Sequence, residues 1–244
     1  MVKICIYAIC KNEIKFVDKW LDSMQEADYI VVLDTGSTDG TYEKLAADPR
    51  VTRLEQKEIK PWRFDVARNE SMKLVPEDAD VLFCTDFDEV LEPGWGALIR
   101  ENWKPNTMRG RYQYIWSHTD TDAAAVTYVY DKMHNRDYQW YFPVHEVLGL
   151  DPDPVKMLDK EAAQADRLID FGQNIVLHHY PDPEKSRSSY LDLLKLRWEE
   201  NPNDCYSSYL LAREYGVYRD YDSALELFEK TLELTEEYDF AIVR

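Results

Sequence analysis

The chain has 244 residues, 45% of them hydrophobic and 13% aromatic, enough to bury one sizeable core with at most a small appendage. Its net charge of −18 repels phosphate backbones and anionic lipid heads, which argues against tight unaided binding of nucleic acid. No run of 18 apolar residues or small-residue cleavage site occurs, and the four cysteines (Cys5, Cys10, Cys84, Cys205) lack zinc spacing. The expectation is a reduced, cytoplasmic protein without signal peptide or membrane span.

KICIYAI (3–9) reads as a buried strand, and IKFVDKWLDSM (14–24) sets Phe16, Val17, Trp20, Leu21 and Met24 on a helical stripe. YIVVL (29–33) reads as a second strand, ending in the turn-rich DTGSTDGT. A short helix over 41–47, a strand near 51–54, a helix over 63–75 and the strand DVLFC (80–84) follow. This alternation predicts a mostly parallel α/β sheet with helices on both faces. Ligands in such sheets bind beyond the carboxyl ends of the strands, so the loops after Cys10, Asp34 and Thr85 matter most. From 109 onward, RGRYQYIWSH, AAVTYVYDKMH and YQWYFPVHEVL predict antiparallel strands added to that sheet. Residues 151–171 read as a loop, NIVLHHY (174–180) as a last strand, and 184–200 as a helix leaving the domain. In the tail, Leu211, Ala212, Tyr215, Ala224 and Phe228 fit one tetratricopeptide unit over about 204–235, with Phe240, Ile242 and Val243 beginning a second. Two ordinary amphipathic helices are the alternative. The expected division is a domain over 1–183 and a helical tail over 184–244.

The stretch DFDEV (86–90) places Asp86, Asp88 and Glu89 directly after a buried strand. Ionised carboxylates there are either solvated in a turn or gathered around a cation. A phosphatase with Asp-x-Asp-x-Val after its strand is one alternative, but such enzymes carry that motif on the first strand and add a Gly-Asp acidic motif, which is absent here. Four segments occur in order: AICKNE after the first strand, LDTGSTDGT after the second, RFDVARNES on the third helix, and TDFDEV after the fourth strand-like segment. Together they resemble the family 2 glycosyltransferases of the GT-A fold, over residues 4 to about 95.

The resemblance implies a metal-dependent, inverting transfer of a sugar from a nucleoside diphosphate, UDP foremost, with Mn²⁺ or Mg²⁺ as cofactor. It implies a donor-nucleotide side made by Ile9, Glu13, Asp34, Arg68 and Asp86. Asp34 is assigned to the nucleobase, with a turn cap on Gly36 or Ser37 as the alternative. Glu13 either faces ribose or begins the first helix. Arg68 faces the base or the diphosphate, unless it forms a surface pair with Asp65. Asp86 contacts ribose and metal, and Asp88 is the principal metal ligand; both can serve one ion only if the backbone turns between them. WYFPVHEV (140–147) resembles a Val-His-Glu segment in a bacterial branch of these enzymes, some with tetratricopeptide tails. Glu146 is the candidate base that takes the acceptor's proton. His145 and His178 are candidate metal ligands or diphosphate contacts, with His145 also the alternative base. His118, His134 and His179 are assigned to packing or the surface. The family's usual Glu-Asp catalytic pair is missing. The acceptor is left open among glycan, peptide and modified nucleic acid, and the helical tail is a candidate surface for self-association. A nucleotidyltransferase would need a glycine-rich loop after the first strand, and AICKNEIK has no glycine. A non-catalytic helical-repeat interaction protein is the other rival.

Overall fold

Strand β1 (Ile4–Cys10) is apolar at nearly every position because both of its faces are buried. Ile4, Ile6, Ala8 and Cys10 enter one core, with Trp20 and Leu21 of α1 (Val17–Met24) and Leu45 of α2 (Thr41–Ala47). Cys5 and Tyr7 enter the opposite core, with Leu74 and Val75 just past α3 (Phe64–Met72). A computed structural model of the chain describes residues 1–153, 156–157, 160–161, 163–184 and 190–236.

Strands β2 (Tyr29–Asp34), β3 (Arg53–Gln56) and β4 (Val81–Cys84) complete the parallel part, so that β1, β2 and β4 end on the same edge. Next come β5 (Glu89–Leu91), α4 (Trp95–Asn102), β6 (Arg109–His118), β7 (Ala124–His134), β8 (Gln139–Tyr141), β9 (Val147–Gly149), β10 (Leu168–Asp170) and β11 (Val176–His179). The main sheet runs β3-β2-β1-β4-β7-β6-β11-β5, with β10 beside β6. It is a mixed α/β sheet, parallel over its first four strands with antiparallel additions at β7 and β5.

Three differences from the expected elements have local causes. β5 and α4 are additional, the helix starting behind Gly94, whose φ of 98° provides the left-handed entry that favours glycine. The stretch 138–148 does not extend the main sheet: β8 and β9 pair only with each other. Between them Phe142 (φ 76°) and His145 (φ 47°) take left-handed conformations that break the extended run. Finally, 151–171 contains β10, too short for its periodicity to be read.

The chain divides into two compact units. The first takes Met1–Pro61, Val66–Tyr141 and Leu148–Pro183; the second takes Trp62–Asp65, Phe142–Val147 and the chain from Glu184. In the second unit, α5 (Tyr190–Glu200), α6 (Cys205–Val217) and α7 (Tyr221–Glu236) pack in succession. Its core joins Val144, Leu193, Leu194, Leu210, Leu211, Ala212 and Leu227. Asp204 caps α6 by accepting from the backbone N–H groups of Tyr206 and Ser207. The helix pair expected over 204–235 is present, and a single pair does not establish a repeat. Phe240, Ile242 and Val243 lie outside the described residues.

Candidate functional site

The acids after β4 are turned by the residue between them. Phe87 is 3% exposed and stacks on Trp20, with centroids 4.3 Å apart, and Trp20 donates its indole N–H to Thr85 Oγ1 at 3.1 Å. Burying that phenyl ring contributes about 1.5–3 kcal/mol, so the chain folds inward at 87. Glu89 closes the turn from both sides. Its backbone N–H donates to the Asp86 carbonyl (3.0 Å), while its Oε2 accepts from the Asp86 backbone N–H (2.8 Å).

Asp86 Oδ1 pairs with Arg68 Nη2 at 3.0 Å, and Oδ2 accepts from Lys132 Nζ at 2.9 Å. Lys132 also reaches Glu89 Oε1 (3.3 Å), which accepts from the Tyr114 hydroxyl (3.0 Å). Glu89, Lys132 and Arg68 are all buried. Burial works against ionisation of Asp86, but the charges of Arg68 and Lys132 outweigh it and hold the carboxyl well below the usual range. For Glu89 burial wins and its pKa is raised, despite Lys132. Arg68 therefore meets Asp86, and Asp65 is paired with Arg63 at 2.8 Å.

The Ala-Arg-Asn run of α3 has a clear local logic. Ala67 is fully buried, Arg68 faces Asp86, and Asn69 exchanges two hydrogen bonds with the Trp140 backbone (2.8 and 2.9 Å). Trp140 so held lies with its ring 5.0 Å from the Arg68 guanidinium. Its indole N–H donates to the Tyr7 hydroxyl (2.8 Å), which lies 2.7 Å from His134 Nε2. His134 Nδ1 faces the Asn135 carbonyl at 2.6 Å, so the proton sits on Nδ1, and the Tyr7 hydroxyl donates to Nε2. Burial pushes His134 down to about 3.

His179, assigned to packing from sequence, is the histidine beside Asp88: Nε2 lies 3.5 Å from Asp88 Oδ2, and Nδ1 is 3.0 Å from the Trp116 carbonyl. Burial opposes its charge, yet Asp88 and that carbonyl raise its pKa. His178 points the other way, as neighbours on a strand must. Its Nδ1 meets His118 Nε2 and its Nε2 meets Glu92 Oε1, both at 2.9 Å. Among the described residues, no three His, Cys, Asp or Glu side chains converge as a metal site.

Asp34 is fully buried and shapes its own turn. Its Oδ1 accepts from the backbone N–H groups of Gly36 (2.9 Å) and Ser37 (2.8 Å) and from Gln56 Nε2 (3.0 Å). Burial raises its pKa, but hydrogen bonds from Ser37, Gln56 and Gly36 bring it below the ordinary value. The turn cap on Gly36 and Ser37 is therefore formed by a buried side chain. Ile9, partly buried, pairs with Leu33 across β1 and β2. Glu13 does not begin α1; it is 5% exposed, and its backbone N–H donates to Thr41 Oγ1 at 2.8 Å. Asn12, at a left-handed φ of 58°, ties the first loop to the second through Thr38 N–H and Ser37 Oγ, both at 2.8 Å.

Against known proteins, no family model matches and no curated protein matches. Solved structures do match, at low identity. S. aureus TarS 1–349 in complex with UDP-GlcNAc aligns with a TM-score of 0.49 at 13% identity, over 87% of this chain and 71% of that one. Glucosyl-3-phosphoglycerate synthase from Mycobacterium tuberculosis gives 0.44 at 15%, over 80% of each chain. The inositol-1-phosphate CTP transferase from T. maritima gives 0.44 at 12%, over 81% and 97%.

Glu146 and His145 belong to the second unit. Their segment is held by Arg197 of α5, 1% exposed, whose Nη1 donates to the carbonyls of Val144 (3.0 Å) and His145 (2.7 Å). The Phe142 ring centroid lies 4.0 Å from that guanidinium, and the His145 ring meets Tyr190 edge-on. Tyr114, Lys132 and His179 were not among the sequence candidates, and Glu89 was named with the acids of the turn but given no role of its own. The signal for Glu89 was its place next to Asp88, three residues after Asp86.

Proposed function

We propose that this chain is a glycosyltransferase that takes its sugar from a nucleoside diphosphate, UDP first, and transfers it with inversion to an acceptor nucleophile. One observation carries the reading. Beyond the end of β4, the DFDE turn presents Asp86 backed by Arg68 and Lys132, and beside it Asp88 faces His179. The side chain of Asp86 is 32% exposed, so it keeps an outer edge for donor hydroxyls. The two cations behind it offset the negative charge that grows on the departing diphosphate.

A divalent ion suits the chemistry of Asp88 and His179, one carboxylate oxygen and one imidazole nitrogen, a donor set matched to Mn²⁺. An ion held by few protein ligands fills its shell with water and phosphate oxygens. When bound, it would act as a Lewis acid on the leaving diphosphate. Asp86 fits that ion poorly, because Arg68 and Lys132 already take its two oxygens. His179 replaces His178 in the assignment, and Glu146 is the proposed base, taking the proton of the attacking hydroxyl or thiol.

The test is a thermal-shift panel of UDP, GDP, dTDP and CTP with Mn²⁺ or with chelator. A nucleotide at 100 times its dissociation constant should add about 2.7 kcal/mol of stability. UDP with Mn²⁺ should give the largest shift. No shift with any nucleoside diphosphate sinks the reading, and a response to CTP alone replaces it with nucleotidyl transfer.

A further inference from the structure

Lys132 is charged, buried and unexplained by a metal-centred reading of the acids. It is 5% exposed, on the inner half of β7, 46 residues along the chain from Asp86. Its Nζ bridges Asp86 Oδ2 (2.9 Å) and Glu89 Oε1 (3.3 Å), and the Tyr130 ring centroid lies 4.9 Å from it. A buried ammonium is retained only where acids compensate its lost hydration, and here both acids belong to the DFDE turn. Among the described residues, Lys132 holds Asp86 Oδ2 at the shorter distance, with Arg68 Nη2 at 3.3 Å. Among the described residues meeting at the turn, Arg68 and Lys132 balance Asp86 and Glu89. Without Lys132, two close carboxylates would share one guanidinium, and the turn would present excess negative charge to an incoming diphosphate.

We infer that Lys132 is the resident cation of the DFDE turn: a positioning residue that fixes Asp86 for the donor and sustains nucleotide binding in the absence of metal. The inference rests on the nucleotide-donor reading above and goes beyond it, because it assigns the two acids different cations. Asp86 is served by an ammonium that never leaves, and Asp88 by an exchangeable ion. It also gives a signature that a purely structural role does not, since deleting Lys132 frees an edge of Asp86 for metal. Nucleotide binding should then become more metal-dependent, not merely weaker.

The experiment is titration calorimetry of UDP with the full chain, in Mn²⁺ and in chelator, for wild type, Lys132→Met and Lys132→Arg. The readout is the ratio of the two dissociation constants. Lys132→Met should raise that ratio at least tenfold, and Lys132→Arg, which keeps the charge, should return it to within about threefold of wild type. Should Lys132→Met fail to fold, Lys132→Met/Glu89→Gln removes both members of the buried pair and carries the same test, since Asp86 still loses its ammonium. An unchanged ratio in the variant that folds overturns the inference while leaving the donor reading intact. A wild type that binds no UDP in either condition overturns both.

Discussion

Tyr7→Phe removes one oxygen from the centre of the molecule. The hydroxyl accepts from Trp140 Nε1 at 2.8 Å and donates to His134 Nε2 at 2.7 Å, and Tyr7 and His134 are fully buried. Phenylalanine fills the same space, so no cavity opens, but a buried donor and a buried acceptor both lose their partner. Each such group costs about 1–3 kcal/mol, giving a loss of about 2–6 kcal/mol, against about 0.5 for an ordinary surface change. Urea unfolding followed by tryptophan fluorescence measures it, with the midpoint falling and the slope unchanged. Trp140→Phe closes a double-mutant cycle, because it deletes the donor while the Tyr7 hydroxyl keeps His134. The two should couple by about 1 kcal/mol or more. The Trp140 ring lies 5.0 Å from Arg68, so UDP affinity should fall in both variants. A loss under about 0.5 kcal/mol, or strict additivity, would refute the network as a source of stability.

Asp88→Asn and His179→Gln should each abolish the gain in UDP affinity from Mn²⁺ while leaving affinity in chelator within a few-fold, as calorimetry reads it; a surviving gain removes that residue from the ion. Glu146→Gln should lower acceptor transfer by roughly 10²–10⁴-fold with UDP affinity unchanged, and a drop in affinity instead would move Glu146 to the donor side. His134 titrates near 3 folded and about 6.5 unfolded, so the unfolded chain binds the extra proton, and stability is lost as pH falls below about 6.5. Between pH 6.5 and 5 wild type should lose about 1.5 kcal/mol more than His134→Gln, and equal losses would contradict a neutral buried imidazole. Leu225, Phe228 and Leu232 are 60%, 37% and 64% exposed along α7. Light scattering should show association with concentration that Phe228→Asp suppresses, and a strictly monomeric wild type would remove that surface.

The parallel half of the sheet was legible because strands buried on both faces are written as unbroken apolar runs, and the helices between them carry a 3.6-residue stripe. The acids of the site were legible for the same reason, since DFDE interrupts such a run. What stayed hidden depends on registry between distant strands. In sequence His178 is the candidate ligand and His179 is assigned to packing; the pairing of His179 with Glu89 across β11 and β5 turns His179 to Asp88 and sends His178 to His118. Lys132 reaches Asp86 because β7 lies against β4, a neighbour relation that no local pattern encodes. The Trp140 carbonyl, bonded 71 residues away to Asn69, is hidden likewise.

Arg197 gives the synthesis of the chain an order. The two carbonyls it holds, of Val144 and His145, leave the ribosome 53 and 52 residues before the guanidinium that fixes them. Arg197 in turn needs Ser207, whose hydroxyl accepts from its Nε at 2.9 Å on the next helix. The residues that converge on the DFDE turn, from Arg68 to His179, have all been made by then. A chain halted before α6 therefore contains every residue of the proposed donor site and Arg197 itself, but lacks the Ser207 hydroxyl that meets the Arg197 guanidinium. The bracing of the Val144–His145 segment is therefore complete only once α6 has been made.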